Sequence, residues 1–244
     1  VPALAEGEVP GEFLDEVLTL ANGTPRSEFG NQIISLIDTS VPDEDLSLSE
    51  EIAAIISYFE AAGDHLMLHD QSYCAIIAYY YAYFYSNHYA NDPESTGIRL
   101  KKLLDCAEPA ISQLMEEGAP DMAAGVYDLL GTLYSSFLND QTTAEKYYTD
   151  AVKLLLEAAE NALTDDDREL AINAYETAAK LYEFRFGDEE SAAECRTKAE
   201  NLRTENTAST LSEGSMTVVL CVACLAVGLV GGLLLGKKKK TSNS

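Results

Sequence analysis

The sequence predicts an all-α chain, an array of antiparallel helix pairs followed by one C-terminal transmembrane helix. Three observations predict it. Apolar residues recur at intervals of three and four from about residue 11 to 205, as at Ile52, Ile55, Ile56 and Phe59, with almost no strand-like alternation. Gly and Pro number only 15 and 7 in 244 residues, too few for the tight turns of a β-sandwich. Residues 216–236 read MTVVLCVACLAVGLVGGLLLG without one charge, a length that matches the hydrocarbon core of a bilayer.

The elements follow in order. Residues 1–10, small and acidic, read as a flexible N-terminus, and residues 11–48 as N-terminal helices. Helical periodicity over 49–205 is punctuated at His69–Gln71, Asn91–Pro93, Gly118–Pro120, Asn139–Gln141, Thr164–Asp166 and Gly187–Asp188. Several of these breaks offer a helix start, such as Asp92-Pro93-Glu94 and Thr164 ahead of three Asp. Short breaks between long helices imply antiparallel neighbours. Residues 206–215 read as a linker, 216–236 as the membrane helix and 237–244 as a basic cytoplasmic tail.

An internal repeat runs through the array. Phe59-x2-Ala62-Gly63-x2-Leu66, then Ala75-x3-Tyr79-x2-Ala82, is followed by Tyr127-x2-Leu130-Gly131-x2-Tyr134, then Ala144-x3-Tyr148-x2-Ala151. A third copy has Tyr175, Ala178, Ala179 and Tyr182, then Ala192, Arg196 and Ala199. The second and third copies are 48 residues apart, the first and second 68, which is twice 34 and leaves room for a degenerate unit over about 90–123. In this pattern the chain resembles the tetratricopeptide repeat family, over about residues 49–205. The resemblance implies an α-solenoid in which each pair buries its apolar face against the next. Arg196 stands where an aromatic is usual, no Pro closes the units, and a 48-residue spacing exceeds the family's unit.

The resemblance also implies a concave surface lined by the first helix of each pair. The positions that would face it are Glu60 and Asp64, Asp128 and Thr132, then Glu176, Lys180 and, one turn on, Glu183. They are mainly acids, which disfavours a ligand carrying a free carboxylate and suits a basic or polar segment of a partner protein.

Charge sharpens this. The chain has 41 Asp plus Glu against 16 Lys plus Arg, a net of −25. Four of the cations are Lys237–Lys240, so the first 236 residues carry 12 cations against 41 acids, a net of −29. Such a surface excludes nucleic acid as a partner and disfavours docking on anionic lipid. Arg203 is the only cation in the roughly 15 residues before the membrane helix, and four lysines follow it. The positive-inside rule then places the large domain outside the cytoplasm and the C-terminus inside. A start at Val1 and the sequon Asn22-Gly23-Thr24 fit that topology. The alternative is a tail-anchored adaptor with a cytosolic domain. Gly228, Gly232 and Gly236 share one helix face and offer a route to self-association as a homodimer in the membrane.

No catalytic or cofactor motif is present, so no enzyme activity, cofactor or metal is expected. His65 and His69, four apart, would need a third metal ligand that the sequence does not name. Cys74, Cys106 and Cys195 read as small buried apolar residues. The run Tyr79, Tyr80, Tyr81, Tyr83, Phe84, Tyr85 and Tyr89 is too dense to be all core, and part of it offers a hydroxyl-rimmed contact surface. The function expected is a membrane-anchored protein–protein interaction scaffold. The alternative is a structural component of a cell-envelope assembly.

Overall fold

The computed structural model describes residues 9–41, 46–90 and 92–204. The segment 216–236, with Gly228, Gly232 and Gly236, and the lysine tail lie outside the described residues. Among the described residues the chain forms nine α-helices and no strand. They are α1 Gly11–Gly23, α2 Arg26–Ser40, α3 Leu48–Leu68, α4 Ser72–Tyr89, α5 Pro93–Glu116, α6 Pro120–Ser136, α7 Gln141–Thr164 and α8 Arg168–Leu181, with α9 over 189–204. A five-residue π-helical turn, Tyr182–Phe186, extends α8. No described helix is long and apolar enough to cross a membrane.

The chain divides into two compact units, residues 1–155 and 156–244. In the first, successive helices pack in sequence, an architecture consistent with a helical repeat. α1 neighbours α3, and α3 is joined to α5 by ion pairs from Arg99 and Lys102 to Glu60. α2 neighbours α4, and α4 neighbours α6, where Tyr83 meets Phe137 edge-on at 5.2 Å. Odd and even helices thus form two layers. Phe13, Val17, Phe29, Ile33, Phe59, Leu66, Ile76, Leu103, Leu114 and Leu133 fill the space between them. In the second unit α8 and α9 bury Ala171, Ala174, Ala178 and Ala179, with Ala192, Cys195 and Ala199.

Helix boundaries reveal the true repeat. α3, α5 and α7 end at Leu68, Glu116 and Thr164; α4, α6 and α8 begin at Ser72, Pro120 and Arg168, each series at intervals of 48. The turns between them place Asp70, Gly118 and Asp166 at positive φ, again 48 apart. There the backbone N–H groups of Gln71, Ala119 and Asp167 donate to the carbonyls of Leu66, Leu114 and Ala162 at 3.0, 2.9 and 2.8 Å. These bonds satisfy carbonyls that a helix end leaves without partners. The starts of α5, α7 and α9 are capped by Asp92, Asp140 and Asp188, whose carboxylates accept from the backbone N–H of Ser95, Thr143 and Ser191 at 3.2, 3.1 and 3.0 Å.

This corrects the spacing expected from the sequence. The period is 48 throughout, and the stretch 90–123 holds one 24-residue helix, α5, and the first turn of α6 rather than a 34-residue helix pair. The 68-residue offset matched α3–α4 with α6–α7, a pair within one unit against a pair across two. The reason is physical: both interfaces need a small residue beneath an aromatic ring. Gly63 lies under Tyr79, and Gly131 under Tyr148.

The three caps carry a pH prediction. Hydrogen bonds from Ser95 and Thr143 to Asp92 and Asp140, and from the Ser191 backbone and hydroxyl to Asp188, hold each carboxyl below its ordinary 3.8. A carboxyl depressed by folding stabilises above its unfolded value, and the contribution is lost as pH falls through the folded one. Replacing all three with Asn keeps an acceptor at the cap and removes the titration. The triple variant is expected to fold at neutral pH with a shallower loss of stability below about pH 4, checked by urea titrations at pH 7 and pH 3.

Candidate functional site: a tyrosine-lined groove

The even layer of the first unit carries a concavity lined by the tyrosines of α4. α4 is helical in spite of its aromatic load because Ala75, Ala78 and Ala82 sit on its buried side and let it pack closely. The opposite side, Tyr73, Ile77, Tyr80 and Phe84, recurs at the spacing of one helix face and remains half-buried. Across it lie Gly30 of α2 and Gly125 of α6, where missing side chains leave room. A Cβ on Gly30 would reach only ordinary contact, 3.7 Å from Ile77 Cγ2 and 3.8 Å from the Tyr81 hydroxyl, and one on Gly125 would meet nothing within 4 Å. The result is a groove of about 430 Å³ between α2, α4 and α6. Ile76, Ile77, Met122, Val126 and Leu129 give it an apolar floor, and Ser27, Asn31, Tyr73, Tyr80 and Tyr81 a polar rim.

Burial pushes the Tyr73 and Tyr81 hydroxyls above the ordinary tyrosine value, with Asp121 adding to the shift of Tyr73 and Tyr80 to that of Tyr81. Both stay protonated, as donors, at neutral pH. None of the three rim tyrosines spends its hydroxyl on another described residue. At one end Arg26 closes the groove. Its guanidinium meets Glu117 at 2.8 and 3.3 Å and donates to Gln71 at 2.9 Å and to Cys74 Sγ at 3.0 Å. The groove end is therefore charge-paired rather than cationic.

The acids expected to face a partner sit elsewhere. Glu60 and Asp64 on α3 are engaged from α5: Arg99 pairs with Glu60 at 3.1 Å, and Lys102 with Glu60 at 2.9 Å and Asp64 at 2.8 Å. Asp64 also accepts from the Tyr79 hydroxyl at 2.7 Å. Asp128 and Thr132 lie on α6, in the other layer, where the Thr132 hydroxyl donates back to the Asp128 carbonyl at 2.9 Å. In the second unit Arg203 of α9 pairs with Glu176 at 2.6 Å, Arg196 pairs with Glu183, and Lys180 is exposed. Glu60 and Asp64 thus share no helix layer with Asp128 and Thr132, and Glu60, Asp64, Glu176 and Glu183 are each met by an intramolecular cation.

The His65 and His69 rings lie against each other at a tilt of 57°, with centroids 4.6 Å apart. Among the described residues no group of three or more His, Cys, Asp or Glu side chains could hold a metal ion. Cys74, Cys106 and Cys195 are buried and unbridged. Desolvation pushes the Cys74 thiol up to about 11 and Cys106 to about 12, so both stay protonated and poorly nucleophilic. Asn22 is exposed on the last turn of α1, where its side-chain oxygen accepts from Gln71 at 3.1 Å.

The tyrosine run is visible in the sequence, but the groove is not. Its other walls come from α2 and α6, far away in the chain. Gly30 and Gly125, lone glycines inside helices, are the available signal, since each weakens its helix by about 1 kcal/mol against alanine and here leaves a space. Comparison with protein-family models and with curated proteins finds no match.

Proposed function

We propose that the protein is a membrane-anchored interaction scaffold, a tetratricopeptide-like stack of helix pairs held to a bilayer by residues 216–236. It recruits partner proteins by binding and carries out no turnover. One observation supports this reading above the others: the groove between α2, α4 and α6 combines an apolar floor with tyrosine hydroxyls that no described residue engages. A spacer or purely structural array has no use for such a surface, whereas aromatic rings rimmed by hydroxyls give contact area at low entropic cost. The acids of the tetratricopeptide-like first helices serve the fold instead, through the ion pairs of Glu60, Asp64, Glu176 and Glu183. The lysine tail favours an extracytoplasmic domain.

The test is crosslinking from native membranes with the unaltered chain and with Gly125→Gln. The substitution places a side chain in open space and improves helix propensity, so the variant folds. Loss of the crosslinked set in Gly125→Gln, with Gly97→Gln behaving as the unaltered chain, is expected. An unchanged set in Gly125→Gln removes the groove from the function.

A further inference from the structure

We infer that the groove between α2, α4 and α6 accepts an extended, proline-bearing segment of a partner protein flanked by lysine or arginine. The inference rests on the scaffold reading and adds the chemistry of the partner.

Spacing alone does not separate an extended partner from a helical one. Tyr73 and Tyr80 are seven residues apart on α4, about 10 Å along the axis. A polyproline helix repeats every ~9 Å and an α-helix every two turns at ~11 Å. The hydroxyls decide. Tyr73, Tyr80 and Tyr81, with the Ser27 hydroxyl and the Asn31 amide, line the groove without a hydrogen-bond partner among the described residues. A docked α-helix has spent its own backbone groups and can offer these groups only its side chains. An extended segment brings free carbonyls and N–H groups for them to bond. A polyproline segment has no internal hydrogen bonds, loses little entropy on docking and seats its rings between aromatic side chains.

The size agrees. A groove of about 430 Å³ holds two or three ring-sized side chains.

Charge fixes the flanks. Asp121 is exposed in the first turn of α6, one residue before groove-lining Met122, and Asp38 is exposed on α2, about two turns beyond groove-lining Gly30. Neither makes an ion pair among the described residues. The one cation at the groove, Arg26, is taken by Glu117. Two acids at opposite ends of an aromatic strip call for cations at both ends of the ligand. The same charge disfavours a second copy of this chain, since two chains of −25 each repel.

The experiment titrates the full chain, in detergent, with three fluorescein-labelled peptides. One carries a Pro-Pro-Leu-Pro core between lysine pairs, one the same core between glutamate pairs, and one an amphipathic helix with leucine anchors and lysine flanks. The expected result is that the lysine-flanked proline peptide binds at least about tenfold more tightly than either other. That binding weakens as salt rises from about 0.05 to about 0.5 M. It is lost in Gly125→Gln and kept in Gly97→Gln. Preference for the helical peptide, indifference to the flanks, or binding that survives Gly125→Gln would each overturn the inference. If none of the peptides binds while Gly125→Gln still abolishes the native crosslinks, the partner chemistry fails and the scaffold reading stands. If the crosslinks are unchanged, the reading itself fails.

Discussion

Replacing Gly63 or Gly131 by alanine is expected to destabilise the fold by about 1–3 kcal/mol at each site, the range for forcing a methyl group into a filled interface. A Cβ on Gly63 would lie 2.6 Å from Cε1 of Tyr79, and one on Gly131 2.4 Å from Cε1 of Tyr148, well inside carbon–carbon contact. The rings have little freedom to retreat. Tyr79 and Tyr148 are each 5% exposed. The Tyr79 hydroxyl is tied to Asp64 at 2.7 Å, and Lys102 lies 5.7 Å from its ring centroid. Gly97 and Gly125 provide the contrast, since a Cβ there meets nothing within 4 Å. Alanine at those sites is expected to be neutral or stabilising. Urea midpoints at constant slope separate the two classes, and Gly63→Ala as stable as Gly97→Ala would sink the argument.

The chain contains its own compensated version of this pair. One period after Gly131 and Tyr148 stand Ala179 and Arg196. Where the ring is gone, the methyl group is present: Ala179 is buried at 1% exposure, and Arg196 turns to the surface to pair with Glu183. Gly131→Ala should therefore cost less in a Tyr148→Leu background than alone. The double-mutant cycle isolates that coupling, and strict additivity of the two changes contradicts steric conflict as the cause.

What the sequence made legible follows from how local each feature is. The breaks at His69–Gln71, Gly118–Pro120 and Asn139–Gln141 are readable because Asp, Asn and Gly tolerate the left-handed turn and Asp caps the next helix. All-α character is readable from apolar spacing alone. The register of the repeat is not: Gly63 under Tyr79 and Gly131 under Tyr148 satisfy one steric rule at two different kinds of interface, so similarity of pattern misassigns the helices. Caps such as Asp92, Asp140 and Asp188 keep the 48-residue register more faithfully than core residues do. A cap accepts only a few short polar side chains, while Phe59, Ala107 and Leu155, of very different size, stand at equivalent core positions. The ion pairs of Glu60 and Asp64 with Arg99 and Lys102 were equally hidden, because 39 and 38 residues separate the partners. In an acidic chain every carboxylate reads as solvated surface until a cation is found beside it.

Arg26 is the second site where one change has a large expected effect. Its guanidinium gathers the ends of several helices of the first unit. It spans both Glu117 oxygens just after α5, Gln71 at the head of α4, the Ala21 carbonyl of α1 and the Cys74 thiol. Arg26→Ala leaves Gln71 and the Ala21 carbonyl without this donor and removes the partner of Glu117. Side-chain exposures of 20% and 37% for Arg26 and Glu117 allow water to replace part of what is lost, so about 1–2 kcal/mol is expected rather than the full cost of a buried pair. Arg26→Lys should recover only a fraction, because an ammonium cannot span two carboxylate oxygens as a guanidinium does. The pH dependence identifies the pair. The hydrogen bond from Arg26, and to a lesser extent one from Gln113, holds the Glu117 carboxyl below its ordinary 4.5 against the opposing effect of burial. Its contribution to stability is complete above pH 4.5 and is lost as pH falls through the depressed folded value. The unaltered chain should therefore converge on Arg26→Ala in stability as the pH is lowered from 7 towards 3. A gap between the two that stays constant across that window would mean Arg26 acts through packing of its aliphatic stem, not through Glu117.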